Sequence, residues 1–125
     1  MKRSDEFKKV AVIGCGFIGY SWGVVFARNG LDVSMYNRKS KTFDTVKNRM
    51  KEALEFLRDE GMIEARAVQE SLDRITVTHD LEEAVKDADY IQECLWEDLE
   101  LKRDMFEKLT AVTPAGVAIG SSCSG

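Results

Sequence analysis

The run Val10-Ala11-Val12-Ile13 leads straight into Gly14-Cys15-Gly16-Phe17-Ile18-Gly19, and a helical pattern takes over from Ile18 to Asn29. An unbroken apolar run rich in β-branched residues and stopped by glycine predicts a strand, Lys9 to Ile13, buried on both faces. Such a strand requires a sheet covered by helices on both sides. The glycines fit G-x-G-x-x-G in its proper setting, after a strand and opening a helix. In that pattern the first glycine permits the tight turn and the second lets the backbone approach a pyrophosphate. The third lets the helix sit close to the strand. The helix start then offers N–H groups and a partial positive charge to phosphates. Gly14, Gly16, Phe17, Ile18 and Gly19 are therefore candidate dinucleotide-contacting residues. Gly23 and Ala27 continue the small positions along the helix. The plain alternative is a glycine-rich turn that binds nothing.

The rest of the chain keeps the alternation. A strand is predicted at Val33 to Tyr36, then a long helix capped by Ser40, with Phe43, Val46, Met50, Ala53, Leu54 and Leu57 on one face and Gly61 as its stop. A second helix, Glu64 to Leu72, follows before a strand at Ile75 to Thr78. A short helix capped by Asp80, a strand from Tyr90 to Leu95, a helix from Leu99 to Val112 and a strand from Val117 to Gly120 complete the pattern. The expected fold class is α/β, a Rossmann-like doubly wound parallel sheet with a helical pair inserted after the second strand.

With 125 residues, 44% of them apolar, the chain is expected to form one domain over residues 1–125. No run approaches the length of an apolar membrane span. A net charge of −4 and the absence of a concentrated Lys/Arg stretch argue against a nucleic-acid partner. The basic start at Met1-Lys2-Arg3 lacks the cleavage site of a signal peptide. Cys15, Cys94 and Cys123 form no C-x-x-C pair, which suits reduced thiols in a cytoplasmic protein. They are expected to crowd the carboxyl edge of the sheet as packing residues. The single histidine, His79, is expected at a strand end, and no metal site is indicated.

In such domains an acidic residue about 20 positions after the glycines binds the adenosine ribose of NAD. That slot falls at Asn37, followed by Arg38 and Lys39, while Asp32 precedes the strand on the wrong side. Asn37 can bond a ribose hydroxyl. Arg38 can stack on adenine or pair with a 2′-phosphate, with Lys39 or Ser40 adding to that pocket. The residues thus lean to NADP(H) without excluding NAD(H), and both basic side chains could simply be solvated.

Taken together, residues 8 to 125 resemble the N-terminal domain of the 3-hydroxyacyl-CoA dehydrogenase family. The resemblance rests on the opening Val10 to Gly19, on the helical pair and on Ala88-Asp89-Tyr90-Ile91-Gln92-Glu93-Cys94-Leu95-Trp96-Glu97-Asp98-Leu99-Glu100-Leu101-Lys102. There the family pattern is matched at Glu93, Glu97, Leu99 and Lys102. Gly120-Ser121-Ser122-Cys123-Ser124-Gly125 matches the family's serine-rich strand end. The resemblance implies that Glu97 and Lys102 contact cofactor near the nicotinamide end. It implies that Ser124 approaches both nicotinamide and substrate, the one catalytic position within the chain. Glu93 is expected to play a structural or supporting polar role, and Lys102 could equally lie on a solvated helix face. The Ser-Ser-x-Ser-Gly ending, with Gln92-Glu93, looks more like the branch acting on free hydroxy acids, such as carnitine or gulonate dehydrogenases. The missing acid at Asn37 puts the family's usual NAD preference in question.

The resemblance further implies an oxidoreductase that removes hydride from a 3-hydroxy acid or a 3-hydroxyacyl-CoA, with a histidine taking the hydroxyl proton. That histidine segment follows the serine-rich strand in the family, and a helical C-terminal domain completes the substrate cleft and a homodimer interface. Neither is expected within residues 1–125. The expectation is cofactor binding with negligible turnover. The competing readings are a stand-alone nucleotide-sensing regulatory module, and a domain of the 6-phosphogluconate or β-hydroxyacid dehydrogenase type.

Overall fold

In the computed structural model, residues 6–14, 16–37, 43–94 and 99–121 are described, the side chains at 17, 43, 44, 99 and 101 excepted. The elements run β1 (Lys9–Ile13), α1 (Phe17–Arg28), β2 (Asp32–Tyr36), α2 (Phe43–Asp59), α3 (Ala65–Asp73), β3 (Ile75–Thr78), α4 (Leu81–Val85), β4 (Tyr90–Glu93), α5 (Leu99–Val112) and β5 (Ala118–Ser121). The strands form one five-stranded sheet in the order β3-β2-β1-β4-β5. Every pairing is parallel. The chain builds outward from β1 through β2 to β3, then crosses back to lay β4 on the other side of β1. The order therefore reverses between β1 and β4, where open α/β sheets leave a crevice outside the carboxyl ends of their strands.

Strand periodicity divides the core into two layers. Val10, Val12, Val33 and Met35 face α1, α2 and α3, where Val24, Val46, Met50, Leu54, Val68 and Leu72 meet them. Ala11, Ile13 and Ile91 face the other way, against Val85, Met105 and Leu109. Both faces of β1 are thus covered, and Val10 through Ile13 are wholly buried. That is why this strand reads as a continuous apolar run rather than an alternation. The inserted pair α2–α3 closes over β2 and β3, with the α2 stripe Val46, Met50 and Leu54 spaced as one helix face.

Local signals set several boundaries. The Asp80 carboxylate accepts the Glu83 N–H at 3.2 Å and caps α4, as its position predicts. Three strands differ in their limits from the sequence reading, β2 beginning one residue earlier, at Asp32, where it pairs with Lys9. β4 ends at Glu93, with Leu95 outside the described residues, and the last strand is Ala118–Ser121 rather than Val117 to Gly120. Pairing decides both: β5 is held in register from Tyr90↔Ala118 to Glu93↔Ser121, while Val117 belongs to the turn and donates its N–H to the Pro114 carbonyl. Ser40, the expected cap of α2, lies outside the described residues. Among those described, no helix is long and apolar enough to cross a membrane.

Candidate functional site

The glycine turn sits at the reversal of strand order and is tied to both neighbouring strands. The Gly14 N–H donates to the Tyr36 carbonyl at 2.9 Å, and the Cys94 N–H donates to the Ile13 carbonyl at 2.8 Å. Gly14 has φ 109°, a left-handed conformation that side chains disfavour. Gly19 is required for a different reason. A Cβ there would run into the Gly14 carbonyl, with the Cys94 Cβ at 3.7 Å, so α1 can approach β1 only without a side chain.

Gly16 has neither need. Its φ of −73° and ψ of −172° are open to any residue. A Cβ built there meets no other described residue within 4 Å. What its missing side chain leaves clear is the approach to the turn from outside. Gly16 is also the N-cap of α1, no side chain among the described residues caps that helix end, and the first turn carries no acidic residue. The positive end of the helix dipole therefore faces the same open space, a fitting cradle for a phosphate. Ile18 stands beside it, 48% exposed. Phe17 opens the helix, and its side chain is not described.

On one flank, β2 delivers Asn37 to the carboxyl edge. The residue is half-buried, and its N–H donates to the Thr78 carbonyl at 3.0 Å. Asp32 starts β2 at the opposite end, paired in register with Lys9, so it cannot stand in for the absent acid. Arg38, Lys39 and Ser40 lie outside the described residues.

On the other flank, β4, β5 and α5 converge on a buried carboxylate. Glu93, the last residue of β4, is 0% exposed, and its Oε1 accepts from Lys102 Nζ at 3.0 Å and from Ser121 Oγ at 3.0 Å. Glu93 and Ser121 are register partners at the ends of adjacent strands. Lys102 arrives from the first turns of α5 and is itself buried, so the solvated-face reading of this lysine is overturned. Strand geometry explains the pairing: Glu93 points to the side of the sheet that α5 covers, as Ile91 does, and within that layer a lysine can satisfy it. Sequence reasoning placed Glu93 in a supporting role and gave Ser121 none. The available signal was an acid inside an otherwise buried strand, which demands a partner. Glu97, Cys123 and Ser124 lie outside the described residues, as does Cys15.

On the opposite face of β4, Tyr90 Oη donates to Gln92 Oε1 at 2.8 Å. Burial, with the Cys94 thiol adding to it, raises the Tyr90 hydroxyl above its ordinary value, which keeps it a donor. Cys94 is half-buried and packs against the α1–α3 layer, while His79 is exposed just after β3. A surface cavity of about 380 Å³ lies between α2 and α3, beside Lys47, Lys51, Gln69 and Asp73, and includes none of the glycine turn.

Comparison with known proteins agrees with this fold. The family described as 3-hydroxyacyl-CoA dehydrogenase, NAD binding domain, matches residues 9–125. The L-carnitine dehydrogenase of Streptomyces griseus is 39% identical over 121 residues, 97% of this chain and 35% of that protein. The human lambda-crystallin homolog is 33% identical over 92% of this chain and 36% of its own length. Among solved structures, a diketoreductase superposes with a TM-score of 0.86 at 32% identity, covering 94% of this chain and 42% of that one. The 3-hydroxybutyryl-CoA dehydrogenase of Escherichia coli gives a TM-score of 0.88 at 25% identity, covering 95% and 25%. The chain thus spans little more than a third of the curated relatives it matches. On the strength of the matched sequence and the superposed sheet, the chain belongs to the 3-hydroxyacyl-CoA dehydrogenase family, within its NAD-binding domain.

Proposed function

We propose that this chain holds the nicotinamide dinucleotide of an oxidoreductase that oxidises a free 3-hydroxy acid, with the adenosine half over β2 and the nicotinamide half over β4 and β5. The observation that carries the reading is Gly16: a glycine that neither its backbone conformation nor contact with any other described residue requires, placed at the N-terminus of α1. In this reading the turn Gly14 to Gly19 and the start of α1, with Phe17 and Ile18, receive the pyrophosphate. Asn37 bonds the adenosine ribose. Glu97 and Lys102 stand near the nicotinamide end, and Ser124 approaches nicotinamide and substrate. The bound cofactor supplies hydride acceptance at the nicotinamide. The chain's own share is to bind and orient it.

The substrate class is drawn from the carnitine dehydrogenases among the relatives and from the Ser-Ser-x-Ser-Gly ending. An acyl-CoA thioester is the alternative substrate. The proton-accepting histidine, the remaining substrate cleft and the homodimer interface are assigned to a further helical domain of the whole cytoplasmic enzyme. The apolar stripe Ile18, Trp22 and Val25, exposed along α1, is in keeping with such a neighbour.

A second reading concerns cofactor choice. The family favours NAD(H), but no carboxylate occupies the ribose slot at Asn37, and Arg38 follows it. Titration of the wild-type chain and Arg38→Ala with NADH and NADPH, followed by nicotinamide fluorescence, tests both readings. If Arg38 grips a 2′-phosphate, its removal weakens NADPH by about 1–3 kcal/mol and leaves NADH nearly unchanged. Equal losses for both cofactors restrict Arg38 to stacking on adenine or ordering the loop. Failure of both cofactors to bind the wild type at millimolar concentration overturns the proposed function itself.

A further inference from the structure

We infer that Glu93 is a positioning residue for the nicotinamide half of the site: its buried carboxylate fixes the Lys102 ammonium and the Ser121 hydroxyl together at the carboxyl ends of β4 and β5. The inference rests on the proposed placement of the cofactor and adds to it the means by which the nicotinamide flank is held rigid. A single oxygen, Glu93 Oε1, accepts from both Lys102 Nζ and Ser121 Oγ. One bond reaches across to the neighbouring strand and the other to the helix that covers both. Three elements are locked at one point, on the β4–β5 side of the strand-order reversal.

Desolvating a carboxylate and an ammonium together is expensive, and a pair of apolar residues commonly serves stability as well or better. A charge pair at this depth makes functional sense where an ammonium must be kept at a set position in a cleft wall. The dinucleotide lies across the reversal, with its adenosine half on the β2 side, so the other half passes over the ends of β4 and β5. Lys102 and Ser121 are the side chains whose placement Glu93 controls there.

The test compares NADH with ADP-ribose, which carries the same pyrophosphate and adenosine but no nicotinamide. Glu93→Gln keeps the shape and removes the charge. It should weaken NADH binding about tenfold while ADP-ribose affinity stays within twofold, and bound NADH should show altered fluorescence. Ser121→Ala, which leaves the ion pair intact, should shift NADH in the same selective direction by a few-fold. It keeps the question open to experiment should Glu93→Gln not fold. A parallel loss for both ligands reduces Glu93 to a purely structural residue and overturns the inference, as does unchanged NADH affinity in a folded variant. Wild-type chain that binds neither ligand instead overturns the cofactor reading on which the inference stands.

Discussion

Gly16→Val should weaken NADH binding by at least about 30-fold, roughly 2 kcal/mol, while the domain remains folded. The backbone at Gly16 lies in a region any residue adopts, and a Cβ there touches no other described residue within 4 Å. The folded chain thus loses little beyond the preference for glycine over valine at an N-cap, at most about 1 kcal/mol. The added isopropyl group would occupy the space through which a pyrophosphate reaches the turn. Gly19→Ala should behave in the opposite way. Its methyl group meets the Gly14 carbonyl and forces α1 away from the turn, at a cost of about 1–3 kcal/mol in stability before any ligand is added. Thermal unfolding of both apo variants, with NADH titrations alongside, separates the two roles. A Gly16→Val chain that binds NADH like the wild type would show that the open space at this turn is not the pyrophosphate site.

The largest effect on stability is expected at Lys102. Lys102→Met would take away the ammonium 3.0 Å from the Glu93 carboxylate, which is 0% exposed, and keep the Ser121 hydroxyl among its donors. Breaking a buried pair from one side costs about 3–5 kcal/mol. That is a large part of the roughly 5–15 kcal/mol that keeps a domain of this size folded. Glu93→Gln/Lys102→Met, which removes both charges together, should recover most of the loss, because a neutral pair leaves no uncompensated charge. Urea denaturation of the wild type, the single variant and the double variant measures both quantities. A single-variant loss below about 1 kcal/mol would place this pair with surface ion pairs, which contribute little.

Most of the fold was legible from the sequence because each level of signal agreed with the next. The continuous run Val10 to Ile13 required two covered faces and obtained them. The spacing of Val46, Met50 and Leu54 marked the buried face of α2, and Asp80 marked the start of α4. The ends of β4 and β5 were displaced from their expected positions because strand limits follow pairing register, a non-local property that composition does not carry. The same holds at the candidate site. The glycine turn is a local device, readable from spacing alone. The Glu93–Lys102–Ser121 cluster is assembled by β4, β5 and α5 from residues distant in sequence. For Lys102 the sequence offers a cofactor contact or a solvated helix face, and its pairing with Glu93 follows only once the strand beneath presents the acid. The separate roles that the glycine pattern assigns to Gly16 and Gly19 are seen as contacts once a Cβ is placed at each: that of Gly19 meets the Gly14 carbonyl, and that of Gly16 meets none of the described residues.

The most direct test of cofactor binding at the carboxyl edge is an NADH titration of the isotope-labelled chain, followed through its backbone amide chemical shifts. The predicted result is saturable movement of the amides of Gly14, Gly16, Gly19 and Cys94, where the glycine turn meets β1, β4 and the start of α1. Lys47, Lys51, Gln69 and Asp73 around the α2–α3 cavity should stay in place. The absence of saturable change, or change confined to that cavity, would contradict it.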